Sequence, residues 1–261
     1  MPKTKANDVN IYYEISGEGP ALVLLHGWTE NHKVWKMQIP EFSKDYRVIA
    51  VDLRGHGESD KPKSGYSIQT FADDLYHVLN ELGIDKAIIA GHSMGGMTAL
   101  VFYLTYPERV KGLILVNTTS AGIHDAGPMP LKETLELIRT SGFENIVEQY
   151  FAQIFFAPGT NEDLINWTKS EALKTPQYVV EEALKAIMKH DVTEKLSRIA
   201  VPTLIIHGTY DLAIGVKMAK ILKERIPYSS IKIIEGAGHH TMLEKPSEFE
   251  AAVLEFLKDL Q

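Results

Sequence analysis

Residues 91–95 read GHSMG, a serine between two glycines at the point where the apolar run KAIIAG gives way to a helical pattern. A G-x-S-x-G pentapeptide between a predicted strand and a predicted helix is the context in which a serine is held on a strained turn, with its hydroxyl clear of the sheet. Side chains at Gly91 and Gly95 would collide with the neighbouring strand and helix. The start of the helix that follows favours developing negative charge at that hydroxyl. Nucleophilic chemistry is what this arrangement offers, but an unassisted serine is a weak nucleophile near neutral pH. It needs a base to take its proton and a group to orient the base.

Two later stretches supply candidates. HGTYDLAIG follows a predicted strand and carries Asp211; EGAGHHTMLEKP follows the last predicted strand and carries His239. With Ser93 they give the chain order Ser, Asp, His, each on a loop at the C-terminal end of a strand, where parallel sheets form their ligand crevices. A fourth stretch, LLHGWTENHKVW, follows an early strand. Its turn at His26 and Gly27 can aim the backbone N–H of Trp28 at the same point as that of Met94, and two such donors make an oxyanion hole.

The elements that must position these loops are legible as short Ile-, Val- and Leu-rich runs: ALVLLHG, YRVIAVD, KAIIAGHS, VKGLILVN, TLIIHG and SIKIIEGAG. Continuous rather than alternating apolar runs of this length indicate strands buried on both faces of a parallel sheet. Helical spacing lies between them. In SIQTFADDLYHVLNELG, Phe71, Leu75, Val78, Leu79 and Leu82 form one stripe and Gly83 is the expected stop. GMTALVFYLTYPERV is apolar all round, as expected of a helix packed against the sheet, with Pro107 after its end. Alternating strands and helices imply βαβ units. From about Thr119 to Lys195 the alternation lapses into helical patterns alone, LKETLELIRT, FENIVEQYFAQIFF and PQYVVEEALKAIMKH, punctuated by AGPMP at Ala126, APGT at Ala157 and TP at Thr175. This interval reads as an inserted helical lobe.

Composition narrows the function classes. The 261 residues are 44% hydrophobic and 23% charged, the usage of an ordinary globular protein with a sizeable core. A net charge of −7 supplies no basic stripe for nucleic acid or an anionic membrane surface. There is no cysteine, which excludes disulfides, thiolate metal sites and a cysteine nucleophile. The opening MPKTKANDVN lacks the apolar core of a signal peptide, and no apolar run reaches the ~18 residues of a membrane span, so a cytoplasmic location is expected. No metal is expected, since H-E-x-x-H, H-x-H and calcium-loop patterns are all missing, and no dinucleotide or P-loop fingerprint occurs.

The combination HGWTEN, DLRGHGESD, GHSMGG, VPTLIIHGTYD and GAGHHTMLEKP resembles the α/β-hydrolase family over nearly the whole chain. The resemblance implies an α/β fold with an eight-stranded, mostly parallel sheet flanked by helices. It also implies an all-helical cap after the sixth strand, with residues 1–118 and 196–261 as core and 119–195 as cap. Ser93 is then the nucleophile, Asp211 the acid and His239 the base. His239 fits the family's H-x-x-x-x-E-x-P spacing with Glu244 and Pro246, and His240 does not. Trp28 and Met94 are the expected oxyanion donors, and Trp28, His92, Tyr150, Phe155 and Trp167 the expected pocket residues, with a supporting role in hydrogen bonding the alternative for His92. His26, His56 and His207 are expected in supporting hydrogen bonds, with Asp52 and Arg54 fixing the turn around His56.

A serine at this turn favours acyl transfer at a carbonyl over attack on a saturated carbon. The expected activity is a carboxylesterase acting on short- to medium-chain esters, with no cofactor. Arg139 is the only arginine of the lobe, so an apolar, monofunctional ester is favoured over a dicarboxylate. Enol-lactone hydrolase and cofactor-free perhydrolase are the nearest alternatives, and a ring-cleavage C–C hydrolase is more distant. A non-catalytic small-ligand receptor is the alternative from another class. The partner is a small-molecule ester; a monomer and a homo-oligomer are equally compatible with the sequence. For a histidine base, the acid limb of kcat/KM is expected within about a unit of 6.5.

Overall fold

The computed structural model describes residues 3–122 and 130–260. In chain order its elements are β1 (Lys3–Ala6), β2 (Val9–Ser16), β3 (Ala21–Leu25), α1 (Gln38–Phe42), β4 (Arg47–Val51), α2 (Ile68–Glu81), β5 (Ala87–His92), α3 (Met94–Thr105) and β6 (Val110–Val116). Then follow α4 (Leu131–Ser141), α5 (Phe143–Phe155), α6 (Glu162–Ala172) and α7 (Gln177–Met188), and after them β7 (Thr203–Gly208), α8 (Lys217–Arg225), β8 (Ser229–Ile234), α9 (Thr241–Glu244) and α10 (Pro246–Lys258). Among the described residues, four consecutive α-helices therefore separate the sixth strand from the seventh. Of the lobe's punctuation, Ala126 to Met129 lie outside the described residues.

The strands form one sheet in the order β1-β2-β4-β3-β5-β6-β7-β8. The first two strands pair antiparallel and β2 also runs antiparallel to β4; every pairing from β4 to β8 is parallel. The six apolar runs are the six parallel strands; β3 to β7 are largely covered on both faces, while β8 at the edge alternates half-buried and exposed residues up to the buried Ile234. Because side chains alternate along a strand, Val23, Leu25, Ile49, Val51, Ile89 and Leu113 go to one apolar cluster with α2 and α3. Leu22, Leu24, Val48, Ala50, Ile88 and Ile114 go to a second cluster with Trp35, Phe42 and the apolar face of α10.

Helix α3 sits in the densest position, and all of residues 94–103 are buried, as its all-round apolar sequence implied. Helix α2 is one-sided: Phe71, Leu75, Val78 and Leu79 are buried while Leu82 is half-buried at its end. Ser67 caps its first turn by accepting from the Thr70 N–H at 2.9 Å, and Gly83 takes φ +64 just past its end. Helices α4 to α7 share a third cluster, including Ile138, Val147, Phe151, Val180 and Leu184. Among the described residues, no helix is long and apolar enough to cross a membrane.

Candidate active site

The turn from β5 into α3 carries Ser93 at φ +51, ψ −116, outside the conformations an L-residue adopts freely. Its neighbours enforce it. A Cβ on Gly91 would stand 2.3 Å from the Gly95 carbonyl oxygen, and one on Gly95 would stand 2.5 Å from that of Leu25. The Ser93 N–H donates to the Val116 carbonyl at 2.9 Å, and the Thr118 hydroxyl donates to the Ser93 carbonyl at 2.6 Å, so the end of β6 clamps both sides of the strained residue.

His239 and Asp211 are brought together from the loops after β8 and β7. His239 Nδ1 lies 2.8 Å from Asp211 Oδ2, and both side chains are buried. The same Oδ2 accepts from Asn117 Nδ2 at 2.8 Å, and Oδ1 accepts from the Ile214 N–H at 2.8 Å. Asn117 is itself oriented by the Thr241 hydroxyl, which donates to its Oδ1 at 2.8 Å. Burial pushes Asp211 upward, but the His239 ring and these donors overcome it and hold the carboxyl below its ordinary value. For His239 burial wins: despite the pull of Asp211, the imidazole is pushed down to about 4. A resting neutral imidazole follows, and the sequence-based expectation of an acid limb near 6.5 moves lower because the ring is desolvated.

The backbone of His239 is held from three directions. Its N–H donates to the Phe155 carbonyl at the end of α5 at 2.8 Å, and its carbonyl meets His92 Nε2 at 2.9 Å. Glu244 stitches the adjoining residues to the helical lobe. Its Oε1 accepts from the N–H groups of Gly238 and His240 at 3.0 and 3.2 Å, while Oε2 accepts from the Ala157 N–H and Thr160 hydroxyl at 2.8 and 3.0 Å. The spacing H-x-x-x-x-E thus has a mechanical reason: one turn after His239, a carboxylate returns to satisfy that loop's own amides.

On the opposite side lies the turn after β3. A Cβ on Gly27 would come within 3.1 Å of the Ser93 Cβ, which fixes how close this loop runs to the serine. Among the described residues, the backbone N–H groups of Trp28 and Met94 have no hydrogen-bond partner in the chain. Trp28 also spans to the lobe, its indole N–H donating to the Val180 carbonyl at 3.0 Å. His26 is a plain strut: Nε2 accepts from the Leu53 N–H at 2.9 Å and Nδ1 donates to the Gly27 carbonyl at 2.7 Å, so it carries one ring proton. Asp52 accepts from the N–H groups of His32 and Glu58, and Arg54 pairs with the buried Asp74 at 2.6 and 2.7 Å, which fixes the turn around His56.

Ser93 and His239 open onto one cavity of about 120 Å³, walled mostly by apolar side chains from α4, α5 and α7 and from the loop after β7, with Glu30, His240, Thr29, Thr119 and Thr134 also in its lining. Trp28, Tyr150 and Phe155 line it, together with Leu212 and Ile214, which the sequence did not single out. His92 and Trp167 do not. His92 faces away from the cavity, fully buried between Glu30 and the His239 carbonyl. Trp167 sits on the far side of α6, lining a small separate recess with the Lys36 ammonium 3.3 Å over its ring. No lysine or arginine is among the described residues of the main cavity.

Comparison with known proteins gives a consistent picture. The family profile described as the alpha/beta hydrolase fold matches residues 20–178. A 3-oxoadipate enol-lactonase from Acinetobacter baylyi is 32% identical over 258 residues, covering 97% of this chain and 95% of its own. Among solved structures, a thermophilic esterase from Thermogutta terrifontis superposes with a TM-score of 0.90 at 28% identity, covering 99% of this chain and 98% of its own. An esterase from Exiguobacterium antarcticum does so with a TM-score of 0.91 at 29% identity, covering 98% of each chain. A profile that runs from the third strand into the helical lobe, and relatives that align from end to end, make this protein a member of the α/β-hydrolase fold family.

Proposed function

We propose that the protein is a serine hydrolase of neutral carboxylic esters. The observation that carries this reading is a neutral, carboxylate-bound imidazole sharing one apolar cavity with a strained serine. In the proposed cycle His239 takes the Ser93 proton as Oγ attacks the ester carbonyl carbon. Trp28 and Met94 donate their free N–H groups to the oxyanion. Collapse breaks the ester C–O bond while His239 returns the proton to the leaving alcohol, and water activated by the same imidazole then releases the acid. Asp211 stays ionised and steadies the imidazolium formed at each proton transfer.

Residues 119–195 act in this proposal as the cap, since α4, α5 and α7 supply much of the cavity wall. A wall without lysine or arginine, and with the Glu30 carboxylate in it, suits a neutral acyl chain better than a charged one, and enol-lactones remain the nearest alternative substrates. Neutral lactones, opened by the same steps, remain within the class. A panel of p-nitrophenyl acetate, butyrate and octanoate, neutral lactones and a carboxylate-bearing ester tests the reading. Turnover of the butyrate with a burst of p-nitrophenol is expected, and little or none of the charged ester. Binding without turnover across the panel would refute hydrolysis and favour a receptor.

A further inference from the structure

Beside the cavity, a buried cluster joins residues that the acyl-transfer cycle leaves unused. Glu30, three residues beyond Gly27, sends Oε2 to two donors, the Gly27 N–H at 2.6 Å and His92 Nδ1 at 2.9 Å. Its Oε1 meets His240 Nε2 at 2.8 Å. The other nitrogen of His92, Nε2, faces the His239 carbonyl at 2.9 Å. Both partners of His92 are acceptors only. A ring that satisfies a carboxylate on one side and a peptide carbonyl on the other needs a proton on each nitrogen, which makes it an imidazolium. His240 differs: its Nδ1 has no partner among the described residues, and one ring proton suffices for its bond to Glu30.

We propose that Glu30 and His92 form a permanent buried ion pair that positions the Gly27–Trp28 turn and the backbone of His239 against each other. The inference rests on the hydrolase reading for its kinetic consequence, though not for its geometry. The pair spans the site from the Gly27 amide to the His239 carbonyl. Glu30 holds the amide immediately before the proposed oxyanion donor, and His92, next in sequence to Ser93, holds the carbonyl of the proposed base. The charged and titratable groups facing His92 are Glu30, the His239 ring at 4.6 Å, the His240 ring at 5.3 Å and, at longer range, Asp211 and His207. Burial works against charge on His92, and Glu30 outweighs it; burial likewise disfavours the Glu30 carboxylate, and the two imidazoles outweigh that. The fixed positive charge next to His239 also helps to keep that ring neutral between turnovers. As neither residue takes part in bond making, both are positioning residues.

The test is spectroscopic and kinetic. In protein labelled with ring-15N histidine, the resonances that vanish in His92→Asn are expected to show two N–H protons on His92 at pH 8, well above the ordinary histidine range, and only one in Glu30→Gln. In kinetics, Glu30→Gln is expected to lower kcat on p-nitrophenyl butyrate at least tenfold with KM within about threefold, and Glu30→Asp to recover part of the loss, because donor and base placement acts on the transition state. The double variant Glu30→Gln/His92→Gln is expected to melt no lower than Glu30→Gln, since the single change leaves the buried His92 ring with one proton for its two positions and one buried hydrogen bond unmade. A singly protonated His92 at pH 8, or an unchanged kcat in Glu30→Gln, would overturn the proposal. The ring spectrum and the Gly27 amide resonance read the pair in resting protein, so failure of every ester to turn over would refute the hydrolase reading separately.

Discussion

Replacing Asp211 with asparagine probes the site at the atom where most of its order converges. Oδ2 of Asp211 accepts from His239 Nδ1 and Asn117 Nδ2, and Oδ1 accepts from the Ile214 N–H. An amide has one oxygen to offer these two positions. If the oxygen takes the Oδ2 position, the NH2 faces the Ile214 N–H and both donors go unsatisfied, at a cost of about 1–3 kcal/mol in stability. If the NH2 takes it, His239 must accept at Nδ1 and carry its proton on Nε2, and a base in that tautomer cannot receive the Ser93 proton. In both orientations the negative charge that steadies the imidazolium is gone. The equivalent exchange in serine proteases lowers kcat by about 10⁴, or ~5.5 kcal/mol of transition-state stabilisation, and a loss of 10³ or more is expected here. Single-turnover release of p-nitrophenol by the purified variant, with circular dichroism to establish folding, measures it. A folded variant within tenfold of the parent would show that Asp211 does not serve His239 and would refute the proposed division of roles.

Ser93→Ala is expected to abolish turnover, by up to about 10⁶, without lowering the melting temperature, because it also removes a hydroxyl and leaves the turn's backbone bonds in place. Gly95→Ala should destabilise the fold by about 3 kcal/mol in chemical denaturation, since its methyl would enter the space of the Leu25 carbonyl; an unchanged midpoint would contradict the packing. For pH, the sign follows from the proposed role of His239 as a base in its neutral form. kcat/KM is lost as pH falls through the depressed value near 4, and a limb centred at 6.5 or above would show the ring to be less desolvated than the geometry implies. Leu212→Arg, at the cavity wall, is expected to raise kcat/KM for a carboxylate-bearing ester relative to the butyrate by about tenfold or more, read from competing-substrate assays.

What could be read from the sequence follows from how local each signal is. The parallel strands β3 to β7 are largely buried on both faces and announce themselves as apolar runs, and the edge strand β8 does so only through its isoleucines. The first two strands do not: VNIYYEIS alternates polar and apolar residues at the sheet's antiparallel margin, and KTKA has one buried residue, so neither resembles the interior runs. Ser93, Asp211 and His239 stand out as candidates in the sequence because each follows a strand within a recognisable turn. Glu30 and Asn117 were missed because the contacts that give them meaning are 62 and 94 residues distant in the chain, to His92 and Asp211. His92 was expected in the pocket from its adjacency to Ser93, but successive side chains at a strand's end point to opposite sides, and the carboxylate waiting there was invisible in the local pattern. Trp167 has only its aromatic character to recommend it, and α6 turns it away from the cavity into the recess beside Val34 and Glu171, against the second apolar cluster.

The double grip of Glu244 bears on any attempt to alter substrate range by exchanging the helical lobe. A transplanted lobe that departs from this one across Phe155, Ala157 and Thr160 would arrive without the carbonyl that receives the His239 amide and without the groups that occupy one oxygen of that carboxylate. Such a chimera would inherit a misplaced imidazole however well its new cavity suited the ligand. Grafts are better begun at the front of the lobe and ended before that seam, so that recognition changes while the proton-transfer geometry is left as it was.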